Sequence, residues 1–406
     1  MDGVEQAGQD ALSVAAACPA CRAPESEPIY ELSKAPVTCA SVFDTAADAR
    51  AVPTGDVRLV CCRRCGLLYN AQFDPAAAEV GARYESDQGA SPHFGAYARE
   101  LAESWIERYG LRGKTIIEVG SGQGEFMAQL VDRGVGRAIG FDPLANPARS
   151  TNPRIELIAQ RFPDDDVDVE AAALVSRHTL EHVADVAGFM AAIQRWCARD
   201  AGRVVLVEVP ATERILGERA FWDVYYEHCN YFTARTLRGV FERAGFAVQR
   251  LDLTYGDQYL VIEATVPQTP SRDQPATSDP DSALRDALAF GAEARARVQR
   301  CTARLRQLGE QHGLPVIWQG ASKTVGLLTA VGEPSPAAFA VDLSPARHDR
   351  YLPGSGLMVR APAALAIARP HDVVLMNPVY ETEVLAEIQK LSPGTRLTSI
   401  NRLFAT

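Results

Sequence analysis

Thr115-Ile116-Ile117-Glu118-Val119-Gly120-Ser121-Gly122-Gln123-Gly124-Glu125-Phe126 decides the fold. An apolar run closing on an acidic residue meets three alternate glycines and then a helical pattern, Phe126, Met127, Leu130 and Val131. That order reads as strand, tight turn and helix. Glycine is needed in the turn because a side chain would keep the backbone from approaching a ligand. The spacing is Glu-x-Gly-x-Gly-x-Gly and not Gly-x-Gly-x-x-Gly, and a second strand, Ala138-Ile139-Gly140-Phe141-Asp142, ends in a carboxylate 18 residues after Gly124. An acid at that strand tip can accept hydrogen bonds from both hydroxyls of a ribose.

A Gly-rich turn before a helix suits any anion, so a Rossmann-like turn serving another nucleotide is the competing reading. The spacing resembles that of the class I S-adenosylmethionine (SAM) methyltransferases, whose ligand carries a ribose and a sulfonium but no phosphate. The resemblance implies a SAM site at Glu118, Gly120, Gly122, Gly124 and Asp142. Tyr84, in a loop just ahead of this unit, is either a lid over SAM or an ordinary packed aromatic.

The chain has 406 residues, too many for one ordinary core, and two or three units are expected. Hydrophobic residues make up 47%, ample for burial, and the net charge of -10 argues against a nucleic-acid coat or an anionic membrane surface. No signal peptide and no membrane-spanning apolar run is legible, so a soluble, cytoplasmic chain acting on a small molecule is expected. Its oligomeric state is not legible.

Six of the nine cysteines precede residue 66. Cys18-Pro19-Ala20-Cys21 and, after forty intervening residues, Cys62-Arg63-Arg64-Cys65-Gly66 form two Cys-x-x-Cys knuckles. Four thiolates of this kind converge on a tetrahedral Zn²⁺ at ~2.3 Å and stabilise a segment too small to do so by burial. With every position filled by a thiolate the role is structural. Cys61 could replace its neighbour as ligand, but the Cys-x-x-Cys register favours Cys62.

Residues 97–109 read as an amphipathic helix leading into the central unit. Strands at 172–176 and 203–210 continue the alternation of a parallel sheet. Ligands of such sheets bind outside the carboxyl ends of the strands, so the segments after Glu118, Asp142, Ser176 and Val209 share one crevice. His178 and His182, four apart, could bind a metal on one helix face, but no third ligand is in register. Thr179-Leu180-Glu181-His182 is read instead as the helix start beside SAM, which places His178 at the cofactor.

After Pro210 comes Phe221-Trp222-Asp223-Val224-Tyr225-Tyr226-Glu227-His228-Cys229-Asn230-Tyr231-Phe232-Thr233. So aromatic and ionisable a stretch suits a walled pocket with a few polar groups better than a surface loop. His228 titrates near neutral pH and is the natural general base. Glu227 can orient it or bind substrate hydroxyls, and Tyr225 can donate to an oxygen gaining negative charge. An interdomain aromatic cluster around a buried, neutral His is the alternative. Thr233 is an N-cap for a helix over 234–244, and 246–253 with 259–264 form a hairpin at the sheet edge.

Residues 266–282 hold four prolines among polar residues and read as a linker. A long helix over about 283–310 follows, with Leu284, Leu288, Val298, Leu305 and Leu308 expected to be buried. Val316-Ile317-Trp318-Gln319-Gly320-Ala321-Ser322-Lys323-Thr324 then repeats strand, small-residue turn and helix start, with further strands at 338–342 and 372–378.

This order of parts resembles the zinc-containing C-methyltransferases of deoxysugar biosynthesis over nearly the whole chain. The resemblance implies an α/β chain of three units: a zinc-binding domain over 1–75, a class I SAM domain over 76–266 and, after a linker at 267–282, a second Rossmann-like domain over 283–406. In that family a keto group on a nucleotide-linked sugar acidifies a neighbouring C–H, a His removes the proton, and the enolate carbon takes the methyl of SAM. Carried over, Tyr225, Glu227 and His228 match the catalytic motif, Gly120, Gly122 and Asp142 the SAM site, and Cys18, Cys21, Cys62 and Cys65 the zinc. The Gly-Ala-Ser-Lys turn resembles the family's turn that holds the substrate's nucleotide, which brings in Lys323, with Arg350 and Tyr351 in the following loop. Trp318-Gln319 and Asn377-Pro378-Val379-Tyr380 depart from that pattern and leave the sugar and nucleotide open. Two further functions fit the residues: methyl transfer to oxygen, nitrogen or carbon of a non-sugar metabolite, and a zinc-stabilised SAM- or nucleotide-binding protein without catalysis.

Overall fold

The computed structural model describes residues 17–78, 89–162, 169–267 and 280–404. Tyr84 lies outside these residues. The glycine-rich stretch opens the central sheet. Five strands, Ile155–Ile158, Arg137–Phe141, Thr115–Val119, Ala173–Arg177 and Val204–Pro210, lie side by side in that order and all run parallel. Tyr259–Thr265 joins them antiparallel, beside Ala247–Thr254 at the edge. Numbered along the chain, the order is 3-2-1-4-5-7-6. The reversed strand follows from chemistry: residues 255–258 are too few for a crossover, so the chain can only turn back as a hairpin. Where the order reverses, between Thr115–Val119 and Ala173–Arg177, the carboxyl ends open a crevice.

The second parallel sheet is built from Met358–Arg360, Ala340–Val341, Val316–Trp318, Asp372–Leu375 and Arg396–Ser399, with Arg350–Tyr351 antiparallel at one edge. The third is small and antiparallel: Ser26–Pro36, Thr54–Cys62, Leu68–Asn70 and, from far along the chain, Asn230–Tyr231. The segment expected to carry the chemistry is thus stitched to the cysteine-bearing sheet, through the pairs Leu68 with Tyr231 and Tyr69 with Asn230.

One apolar core gathers Tyr30 and Leu59 of this sheet, Phe221, Trp222 and Tyr225, Phe290 and Leu305 of the long helix, and Ile317 and Val374 of the C-terminal sheet. The helix Ser322–Val331 approaches so closely that a Cβ on Gly326 would lie 2.4 Å from the Trp222 carbonyl oxygen. No helix among the described residues is long and apolar enough to cross a membrane.

Several expectations shift. The helix expected over 97–109 starts at Pro92, with Ser91 capping the Phe94 amide. Proline in the first turn costs nothing, since its missing N–H would be unpaired there anyway. Residues 180–182 form a single 3-10 turn and not a helix start; the helix begins at Val186, where the Asp185 carboxylate takes the Gly188 amide. The long helix runs Pro280–His312, and Leu288, expected inside, is 43% exposed. The helix Ala234–Arg243 has the expected Thr233 cap, closed into a capping box with Thr236.

Candidate active site

Gly120, Gly122 and Gly124 all take positive φ, 74°, 54° and 88°. At Gly120 a side chain has no room: its Cβ would stand 1.8 Å from Thr179 Oγ1. The alternation therefore records both backbone conformation and the passage of the 177–182 segment over the loop. Asp142 is fixed at its strand tip by two backbone amides, Gly122 N to Oδ2 (3.0 Å) and Leu144 N to Oδ1 (2.7 Å). Glu118 is buried beneath the loop and its Oε2 has no hydrogen-bond partner. Burial pushes its carboxyl up to about 8, against the pull of Arg177.

The residues after Ala173–Arg177 form a charged floor. Arg177 donates to Glu208 Oε1 through Nε (3.1 Å) and Nη2 (2.7 Å), and Tyr97 donates to Oε2. His178, at φ 51°, brings Nε2 to 2.8 Å from the same Oε1. Burial would raise the Glu208 carboxyl, but Arg177 and His178 outweigh it and hold it at about 2. His178 thus belongs to the floor of the crevice.

Above that floor stands His228, half-buried, its ring 4.5 Å from Tyr225 and 4.8 Å from His182, centroid to centroid. Burial, then His182, His178 and Lys323, push its pKa well below the ordinary value of 6.5, so the ring is neutral and can accept a proton. Burial and the Asp223 charge keep the Tyr225 phenol protonated far above 10. Glu227 is 8% exposed and accepts a hydrogen bond from Cys39 Sγ at 2.7 Å.

The knuckle cysteines converge. Cys18 Sγ lies 3.6 Å from Cys65 Sγ and Cys21 Sγ 3.5 Å from Cys62 Sγ, and all four sulfurs fall within 4.8 Å of one another. Thiolates tetrahedral about an ion at ~2.3 Å stand about 3.8 Å apart, so the set fits zinc. Cys61 faces the opposite side of the strand Thr54–Cys62, in the core with Leu59 and Leu68.

A family model described as a methyltransferase domain matches residues 94–251, and one described as a C-methyltransferase C-terminal domain matches residues 282–397. The C-methyltransferase NovU of Streptomyces niveus is 26% identical over 350 residues, 80% of this chain and 81% of that protein. The chain is a SAM-dependent C-methyltransferase. Among solved structures, the 1,6-didemethyltoxoflavin-N1-methyltransferase of Burkholderia thailandensis is similar at 19% identity, over 42% of this chain and 79% of its own, with a TM-score of 0.33. Magnesium protoporphyrin IX methyltransferase of Synechocystis PCC 6803 is 12% identical over 43% of this chain and 84% of its own, with a TM-score of 0.35.

In this methyltransferase the three residues picked for the substrate do not meet at one point. Lys323 is turned inward onto Asp223, which Arg214 also grips. Burial, then Arg214, bring the Lys323 pKa down to about 8. Arg350 pairs with Asp44, and Tyr351 exchanges two backbone hydrogen bonds with Phe43 (2.9 and 3.0 Å), tying the C-terminal sheet to the N-terminal segment. Asp342 was missed. It takes Gly320 N on Oδ2 and Ser344 N on Oδ1, both at 2.9 Å, repeating the pattern of Gly122 and Leu144 on Asp142. A signal existed, since Asp342 ends its strand 22 residues after Gly320 as Asp142 does 20 after Gly122. Nothing in the sequence points to Cys39, 188 residues from Glu227.

Proposed function

We propose that this methyltransferase methylates the carbon beside a keto group of a nucleotide-linked sugar, through an enolate formed by His228. The observation that carries the reading is the placement of the His228 imidazole against Tyr225 and against His182, whose turn passes over the glycine loop through Thr179.

Gly120, Gly122 and Gly124 present backbone to SAM, Asp142 receives its ribose, and Glu118 and His178 complete the surround. Bound SAM would supply a methyl group made electrophilic by its sulfonium, the sulfur keeping the electron pair of the methyl–sulfur bond that breaks. His228 takes the proton from the carbon next to the carbonyl, and the electron pair of the broken C–H bond moves onto the keto oxygen. Tyr225 donates a hydrogen bond to that oxygen as it gains charge. Glu227, with Cys39 behind it, orients the sugar hydroxyls. His228 releases its proton to water once the new C–C bond has formed. The second parallel sheet takes the nucleotide, its ribose at Asp342 and its diphosphate near the Gly320 turn, while Lys323, Arg350 and Tyr351, held by Asp223, Asp44 and Phe43, brace the surrounding wall. Cys18, Cys21, Cys62 and Cys65 hold a structural Zn²⁺.

His228→Ala is expected to lower turnover by about 10²–10⁴-fold, the range for a general base. SAM affinity by calorimetry should stay within a few-fold. Deuterium at the α-carbon should be lost to solvent in the wild type. Retention of that deuterium in the methylated product would move the methyl to a heteroatom and overturn the enolate route.

A further inference from the structure

The turn between Thr179 and Val183 carries a carboxylate that the proposed chemistry does not use. Glu181 is 2% exposed, and neither of its side-chain oxygens has a hydrogen-bond partner beyond its own residue. A buried carboxylate left without partners is costly unless it keeps a proton or a cation compensates it. The groups that face it are imidazoles. His182 follows it in the turn, His228 packs edge-on against His182, and one ligating atom from each of the three residues lies within 4.8 Å of the others. His178 Nδ1 stands 3.8 Å from Glu181 Oε1, while its Nε2 is engaged by Glu208. Within this set two nitrogens and one oxygen converge from two segments far apart in the chain. Imidazole and carboxylate together suit first-row ions such as Zn²⁺ and Co²⁺, whereas Mg²⁺ and Ca²⁺ prefer oxygen alone.

We propose that Glu181, His182 and His228 form a binding site for a divalent transition-metal ion, separate from the four-cysteine cluster, and that the ion seated there blocks turnover. The second half rests on the reading of His228 as the base: the lone pair that coordinates the ion is the one that would accept the substrate proton. Glu181 anchors the ion electrostatically and His182 sets its place beside His228. Turnover then depends on the free concentration of such ions, through a residue the reaction itself needs.

The test uses the full chain with its cysteine cluster loaded with zinc. Co²⁺ is titrated in, with calorimetry giving stoichiometry and visible absorption the ligand field. One equivalent beyond the cysteine-bound zinc is expected, with nitrogen- and oxygen-ligand bands and no thiolate charge transfer. Glu181→Gln is expected to weaken it by at least about 10-fold, a loss seen even when outer partners of a metal site are removed. His182→Asn serves as a second variant should the first unfold. Wild-type turnover should fall in step with occupancy and return on chelation of the added ion. No second equivalent, binding indifferent to both substitutions, or turnover that rises with added Co²⁺ would overturn the proposal. Near wild-type turnover in His228→Ala would instead sink the base assignment and leave the binding of the ion standing.

Discussion

Glu118 and Glu208 are both buried carboxylates near the crevice, yet their environments drive them in opposite directions. Arg177 and His178 keep Glu208 ionised, down to about 2. At Glu118 burial outweighs the pull of Arg177 and lifts the carboxyl to about 8, from an ordinary 4.5. Between those two values the unfolded chain has lost the Glu118 proton and the folded chain has not, so stability falls as pH rises from 4.5 towards 8. Glu208 acts the other way: its stabilisation is complete above 4.5 and is lost as pH falls towards 2. The ligand-free protein is therefore expected to show a lower urea midpoint at pH 8 than at pH 5.5. Glu118→Gln should shrink that difference without abolishing it, because Glu181 is raised over the same window. An unchanged difference in the variant would show that Glu118 is ionised in the fold. At this scale the turn's backbone and the place of Asp142 were readable, since a glycine at positive φ and an acid at a strand tip answer to local backbone demands. Lys323 was not, because only the fold shows that Asp223 takes its charge.

At the scale of elements, strand alternation settles the choice between two adjacent thiols. In Thr54–Cys62 successive side chains face opposite sides, so Cys62 and Cys61 cannot both reach the other sulfurs. Cys62→Ser is expected to drop bound zinc from about one to near zero per chain, because a structural site needs all four thiolates. Cys61→Ser should keep its zinc and lose only packing, about 1 kcal/mol for a hydroxyl placed among Leu59 and Leu68. Metal analysis of the two purified variants checks both outcomes, and zinc loss in Cys61→Ser would reverse the assignment. The knuckles were legible because four short-range cysteines carry their own geometry. Asn230–Tyr231 was not, since a two-residue strand has no period and is defined wholly by its distant partners in Leu68–Asn70. The turn at 180–182 went astray for a related reason: His178 and His182 have helical spacing, but Asp185 supplies the stronger cap downstream.

For the whole molecule, composition divides the chain near residues 75 and 266, while burial does not respect those divisions. Trp222 is fully buried between the cysteine-bearing sheet and the C-terminal helix that carries Gly326. Beside it Asp223 holds Arg214 and Lys323 together, a buried anion between two cations from different parts of the chain. The segment leading to His228 is therefore shaped by the first and last thirds of the sequence at once. Two consequences can be measured. Asp223→Asn leaves two buried cations facing each other and should cost about 3–5 kcal/mol, the usual penalty for breaking a buried pair from one side. Ending the chain at residue 267 removes the partners of Phe221, Trp222 and Tyr225, so that fragment is expected to aggregate or to show red-shifted tryptophan emission, whereas the full chain does not. A soluble fragment ending there with blue-shifted emission and undiminished SAM affinity would mean that the central unit folds alone. The second sheet would then serve only the substrate and not the shape of the site.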